Sequence, residues 1–358
     1  MIQDHKKGYI MRKLAKLSLV NLAALSMLGV ASVPAFAEGE VNVYTYRQPD
    51  LIQPLLDAFS AETGIRTNAL FLDKGLVERM KAEGENSPAD VILTVDIGRL
   101  DDAKRQGVTQ AVEDQIINDN IPAQYRDPAG HWFGLTIRGR VVYASRERVD
   151  VDTITYEELA DPVWKGRICM RDGQHDYNIG LFASILAHNG EEATRQWLTG
   201  VKRNLVRKPE GNDRRQAQAI YSGECDLGLG NTYYVGLMMT NEKEPEQKEW
   251  AESIKVLFPN SQTRGTHVNI SGMAMAAHAP NYDNARKLME FLSSGKAQEI
   301  YAEQVFEYPV KPGAEPSEIV KSFGTIKADS LPLSDIAANR KRASELVDEV
   351  GLNDGSES

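Results

Sequence analysis

Apolar and polar residues alternate over Val41-Asn42-Val43-Tyr44-Thr45, the period of a strand with one buried face. The spacing then becomes helical, with Leu51, Leu55, Leu56 and Phe59 on one side until Gly64 interrupts it. The same succession returns twice: residues 67–71 lead into a helical pattern over 76–82, and residues 89–93 lead into one over 97–106, where Gly107 is a stop signal. Strands that alternate with helices predict a layered α/β domain with a mostly parallel sheet. After Trp132-Phe133-Gly134 a second group opens with the strand-like run 141–143. It holds the segment 155–159, a strand around Ile168, helices over 179–188 and 191–201, and a strand around Leu227. Another strand is expected near residues 267–275, followed by a helix with Ala285, Leu288, Phe291 and Leu292 on one side, and these return to the first lobe. A charged helix over 334–350 ends the chain and carries no visible chemistry.

With 358 residues the chain is long for one core and short for three, so two lobes are expected. The pattern places an N-terminal lobe at 38–137 plus 265–320, and a C-terminal lobe with the last helices at 138–264 plus 321–358. Neither a repeat nor a low-complexity linker separates them, which suits lobes joined by short crossing strands around a ligand cleft. Residues 1–37 read as a signal peptide. Lys6, Lys7, Arg12, Lys13 and Lys16 precede an apolar stretch, and Ala35-Phe36-Ala37 has the form cut by a signal peptidase, so cleavage after Ala37 and export are expected.

Loss of the leader takes the basic and acidic residues from 41 and 51 to 36 and 50, a net charge of −14. Such a surface lacks the basic footprint that nucleic acid or an anionic membrane requires. The two cysteines, Cys169 and Cys225, are too far apart in sequence for a zinc or redox motif; in an exported chain they either pair or stay free.

Tyrosines are the unusual feature. Tyr233 and Tyr234, in Gly230-Asn231-Thr232-Tyr233-Tyr234, follow one strand, Tyr177 lies between a strand and a helix, and Tyr46 ends the first strand beside Arg47. Strand ends are where open α/β sheets bind ligands. Each ring alone is as well explained by ordinary packing, but four at such junctions suggest a site of phenols. A phenol stays protonated near neutral pH unless a hard trivalent cation displaces its proton, and Fe³⁺ fits best. Softer divalent ions would favour His or Cys, and the six histidines form no pair at ligand spacing, although His175 lies close to Tyr177. Three phenolates would neutralise Fe³⁺ and leave positions for water or an anion such as carbonate. Arg47 is the candidate to hold that anion, with Arg138 or Arg140 next.

The runs Val43-Tyr44-Thr45-Tyr46-Arg47-Gln48-Pro49, Ala89-Asp90-Val91-Ile92-Leu93-Thr94-Val95-Asp96, Gly230-Asn231-Thr232-Tyr233-Tyr234, His267-Val268-Asn269-Ile270-Ser271-Gly272 and Glu307-Tyr308-Pro309-Val310 resemble the periplasmic ferric-iron-binding proteins of bacterial ABC importers. The resemblance extends over the mature chain to about Lys321. It implies a type II periplasmic-binding-protein fold of the transferrin-like kind, two α/β lobes joined by crossing hinge strands, with Tyr177, Tyr233 and Tyr234 as phenolate ligands. It further implies that Tyr46 matches a ligand position of some members and that Arg47 stands beside a synergistic carbonate. Some relatives carry a His or Tyr just after that arginine; here Gln48 and Pro49 stand there, so no histidine ligand is expected from the first lobe.

The expected function is a non-enzymatic, monomeric carrier that hands Fe³⁺ to an inner-membrane ABC permease with a cytoplasmic ATPase, since the chain has no phosphate-binding G-x-x-x-x-G-K-[ST] loop of its own. The alternative within binding proteins is an organic or oxyanion solute, such as a polyamine, thiamine or phosphonate, stacked on the tyrosines. An exported hydrolase is disfavoured because Ser222 and Ser271 lack a G-x-S-x-G setting.

Overall fold

The computed structural model describes residues 39–356; the expected signal peptide 1–37 and its cleavage site after Ala37 lie outside them. The strands are β1 (Glu40–Thr45), β2 (Arg66–Phe71), β3 (Val91–Thr94), β4 (Thr109–Gln110), β5 (Phe133–Ser145), β6 (Ile168–Cys169), β7 (Leu227–Asn231), β8 (Ile254–Leu257), β9 (Val268–Ala276) and β10 (Tyr308–Pro309). Their order is β2-β1-β3-β9-β5-β7-β6, with β4 beside β9, and β8 and β10 beside β5.

The parallel sheet expected from strand–helix alternation is present only in part. β1 pairs parallel with β2 and β3, and β6 with β7, but β9 runs antiparallel to both β3 and β5. The reason is topological: β9 enters the first lobe from the hinge, opposite to β1 and β3, which run toward it.

β5 is the main crossing strand. Residues 133–139 pair with β9, whereas 140–144 pair with β7 and 142–145 with β8, so one buried strand serves both lobes and changes partners between Gly139 and Arg140. Sequence periodicity starts this strand only at Val141. Gly134 and Gly139 break the apolar run, and the buried Arg138 and Arg140 read as surface positions.

In the first lobe, helix Pro49–Thr63 buries Ile52, Leu55, Leu56 and Phe59, and Phe59 packs on Phe291 with ring centroids 5.6 Å apart. It ends at Gly64, whose φ of 73° is accessible to glycine at little cost. In the second lobe, helix Asp176–Asn189 is buried from Asn178 to Leu186, and the C-terminal helix Leu333–Val350 covers it with Ile336, Leu346 and Val347. That last helix also contacts helix Ile97–Arg105 of the first lobe. It therefore spans both lobes, a role its charge pattern does not disclose. Cys169 and Cys225 form a disulfide that ties β6 to the residues just before β7.

Candidate metal centre

The carboxyl ends of β1 and β3 in one lobe and of β6 and β7 in the other open on a common cleft of about 160 Å³. Tyr46, Arg47, Arg138, Tyr177, Tyr233 and Tyr234 all line it.

Tyr177 is the second residue of helix Asp176–Asn189, and Tyr233 and Tyr234 lie in the first turn of helix Thr232–Met239. The helix dipole favours negative charge near both starts, although the first N–H groups of helix Asp176–Asn189 are already bonded to His175. The Tyr177 and Tyr233 hydroxyls share a hydrogen bond of 3.2 Å, and the Tyr233 and Tyr234 rings stack with centroids 4.3 Å apart. Behind the pair, Tyr143 donates to the Asn231 carbonyl at 2.5 Å, and its ring lies so close to Gly230 that a Cβ there would stand 2.1 Å from Cζ. Only glycine admits that ring and thereby lets β7 deliver the tyrosine pair to the cleft.

Burial, followed by the neighbouring phenols Tyr177 and Tyr234, raises the Tyr233 pKa well above its ordinary value. Tyr234 is pushed up to about 12, again by burial first and then by Tyr177 and Asp213. These phenols hold their protons until a strongly polarising cation replaces them. Among the described residues no group of three or more His, Cys, Asp or Glu side chains is placed to hold a metal ion. His175 caps helix Asp176–Asn189: its Nδ1 accepts the Tyr177 N–H at 3.2 Å, and burial, with Arg171 and Arg140, lowers its pKa to about 4. It acts as a neutral cap and is not among the residues lining the cleft.

Tyr46 lines the cleft from the other side. Its hydroxyl accepts the Leu76 N–H at 3.2 Å, and the Arg99 guanidinium lies 4.2 Å from its ring centre. Arg47 is held by Glu307 at 3.0 Å and by Ser271; burial opposes its charge, but the Glu307 carboxylate outweighs this and keeps its pKa above the ordinary value. Arg138 donates from Nη1 to Ser271 at 3.3 Å, while its buried Nε and Nη2 have no hydrogen-bond partner among the described residues. An unpartnered buried guanidinium on a cleft wall is a ready anion site.

Arg140 has a different place from the one expected as an anion ligand. It is not among the cleft-lining residues and is bonded to Asp213 at 2.7 Å, Asn178 at 2.7 Å and Asn231 at 3.1 Å. Alternation places Arg138 and Arg140 on the same face of β5, but the partner strand changes between them, so that Arg138 stands opposite Asn269 of β9 and Arg140 opposite Asn231 of β7.

Sequence reasoning missed Arg214, Arg171 and Glu307. Arg214 lines the cleft with its guanidinium 5.0 Å from the Tyr234 ring centre, and Arg171 lies 5.2 Å from that of Tyr177. Glu307 accepts from Thr136 and Ser271 as well as Arg47. Burial raises its pKa, but Arg47, Arg138 and those hydroxyls outweigh this and leave it lowered. It follows Phe306, a non-glycine residue in the left-handed region at φ 58°, a costly conformation held by packing against Gly236. The Glu307-Tyr308-Pro309-Val310 run was the available signal for this wall.

The fold and this cleft define a two-lobed binding protein of transport rather than an enzyme. The chain belongs to the bacterial extracellular solute-binding protein family, whose model matches residues 86–329. It is 43% identical over 325 residues to iron uptake protein A1 of Synechocystis, covering 90% of this chain and 89% of that protein. Ferric iron-binding protein A of Mannheimia haemolytica, solved in an open conformation, matches with a TM-score of 0.84 and 51% identity over 88% of this chain and 99% of its own. A Trichodesmium protein solved with iron and citrate ligands matches with a TM-score of 0.84 and 40% identity over 87% and 99%. These neighbours share the type II periplasmic-binding-protein fold.

Proposed function

We propose that this protein captures ferric iron in the periplasm through the phenolates of Tyr177, Tyr233 and Tyr234 and delivers it to an ABC-type permease driven by a cytoplasmic ATPase. The observation that carries this reading is the meeting of Tyr177 and Tyr233, from separate helix starts, at 3.2 Å in a cleft between lobes. The names of similar proteins over most of the chain, an iron uptake protein and a ferric iron-binding protein, support it. Tyr46 supplies a further ligand from the first lobe, exchanging its bond to the Leu76 N–H for iron.

Charge arithmetic favours a synergistic anion. Fe³⁺ and the three phenolates of the second lobe sum to zero, while Arg47, Arg138 and Arg214 against Glu307 leave the walls at about +2, which a Tyr46 phenolate reduces to about +1. A carbonate or bicarbonate anion meets this positive charge, and the free Nε and Nη2 of Arg138 fit it, with Arg47 alongside. In this reading the chain is exported by cleavage after Ala37, acts as a monomer, and closes lobes 38–137 plus 265–320 and 138–264 plus 321–358 around the ion.

The test is a titration of metal-free protein with ferric citrate in bicarbonate buffer at neutral pH. A broad visible phenolate-to-iron band that saturates near one equivalent, and is lost or strongly shifted in Tyr233→Phe, is the expected result. Absence of the band overturns the iron reading and favours an organic or oxyanion solute.

A further inference from the structure

Asp213 is not among the cleft-lining residues, yet it is fully buried and both its oxygens are engaged. Oδ2 accepts from Arg140 Nη1 at 2.7 Å and from the Asn231 N–H at 2.8 Å, and Oδ1 accepts from Arg171 Nη1 at 2.9 Å. Arg140 carries the connection onward to the Asn178 side chain, and Asn178 Nδ2 donates to the carbonyls of Arg171 at 3.0 Å and Asp172 at 3.1 Å. The network therefore ends on the Asn178 side chain and the Asn231 backbone, two positions that matter for the cleft. Asn178 directly follows Tyr177, and Asn231 directly precedes the helix that begins Thr232-Tyr233-Tyr234.

We propose that Asp213 is a positioning residue of the metal site: it ties the helix start that bears Tyr177 to the helix start that bears Tyr233 and Tyr234, so that the three phenols form one fixed half-site before iron arrives. The proposal rests on the tyrosine–Fe³⁺ reading. A buried carboxylate between two guanidiniums adds little net stability, because desolvation cancels much of the attraction, but its geometry is specific when every partner is present. Iron needs several oxygens at fixed separations, and a half-site held in place spares the ordering of three side chains at the moment of binding. Removing the carboxylate leaves Arg140 and Arg171 facing each other without a counterion, which drives apart the two segments they hold.

The experiment compares Asp213→Asn, Asn178→Ala and a control, Asp90→Asn. Asp90 is a buried carboxylate of the first lobe, bonded to Asn42 and Asn281. In the metal-free proteins, hydrogen exchange at residues 176–180 and 231–235 is expected to be at least tenfold faster in Asp213→Asn, faster only at 176–180 in Asn178→Ala, and unchanged there in the control. With iron loaded, transfer to excess citrate is expected to be at least tenfold easier for Asp213→Asn than for the control, with a shifted charge-transfer band. Should Asp213→Asn not fold, Asn178→Ala decides alone. Wild-type exchange at both segments in a folded variant, or iron loss no greater than in Asp90→Asn, overturns the proposal. A wild-type protein without the band instead overturns the iron reading, a result that exchange rates do not produce.

Discussion

The hydroxyl of Tyr177 lies 3.2 Å from that of Tyr233, although 56 residues separate them in the chain. In the proposed function both oxygens serve one small, hard ion, and in the metal-free protein each is the other's hydrogen-bond partner. Replacing either tyrosine with Phe removes one hydrogen bond, worth about 1 kcal/mol, so the metal-free melting temperature is expected to change little. Iron retention, by contrast, loses one anionic ligand and is expected to fall at least a hundredfold in a competition with citrate. A large stability loss with retained iron binding would show the pair to be packing residues.

Arg138 gives the anion its own prediction. Wild-type protein is expected to hold iron more tightly as bicarbonate is added, because the anion satisfies Nε and Nη2. Arg138→Gln is expected to abolish that dependence. Retention that rises equally with bicarbonate in wild type and Arg138→Gln would place the anion elsewhere or remove it from the site.

Much of this site was legible because the tyrosines sit at predicted strand ends, where position alone points to a cleft. The three helix–strand repeats of the first lobe were legible for a similar reason, since their periodicity is uninterrupted up to Gly64 and Gly107. What was hidden depends on contacts between distant segments. Glu307 meets Arg47 across 260 positions, and Asp213 meets Arg140 across 73. Nothing local distinguishes a carboxylate that will be buried with a guanidinium from one on a solvated face. The full extent of β5 was hidden because a strand that serves two lobes buries both faces, including its arginines, and so loses the alternation by which strands are read.

Two buried histidines set the expected response to acid. Burial lowers His267 to about 3 and His175 to about 4, from about 6.5 in an unfolded chain. The unfolded state therefore binds more protons below about pH 6.5, and stability is expected to fall as pH drops from there toward 4. His267 alone accounts for roughly 3 kcal/mol by pH 4, at about 1.4 kcal/mol per unit. Melting temperatures over this range should decline more gently in His267→Gln; parallel curves would exclude the histidine as a cause. Iron retention should also weaken toward pH 4 as protons compete for the phenolates, and unchanged retention would contradict tyrosine ligation.

The disulfide closes a loop across 56 positions within the second lobe. Chain-entropy reasoning assigns such a closure about 4 kcal/mol. The double substitution Cys169→Ala, Cys225→Ala is expected to lower unfolding stability by an amount of that order in a denaturant titration. Because both cysteines are buried and neither lines the cleft, the charge-transfer band of the iron-loaded protein should keep its wavelength. A shifted band would mean that β6 and β7 need the covalent tie to place the tyrosines.

Arg340 connects the C-terminal helix to both sides of the cleft. Its Nη2 donates to Asp176 Oδ1 at 2.9 Å and its Nη1 to the Asp176 carbonyl at 3.2 Å, while Asp96, the cap of helix Ile97–Arg105, lies 3.5 Å from Nη1. Arg99 joins the same group, pairing with Asp176 at 3.2 Å while its guanidinium covers Tyr46. Asp176 precedes Tyr177, so these cations link the tyrosine-bearing helix of one lobe to the cap and the tyrosine of the other. Asp176 and Arg99 are partly exposed, which limits each pair to about 1 kcal/mol. Arg340→Ala is accordingly expected to speed iron transfer to citrate severalfold, and to widen the iron-loaded protein measurably in small-angle scattering, without abolishing the charge-transfer band. If the iron-loaded variant keeps both wild-type dimensions and wild-type transfer rate, the C-terminal helix serves only to cover the second lobe.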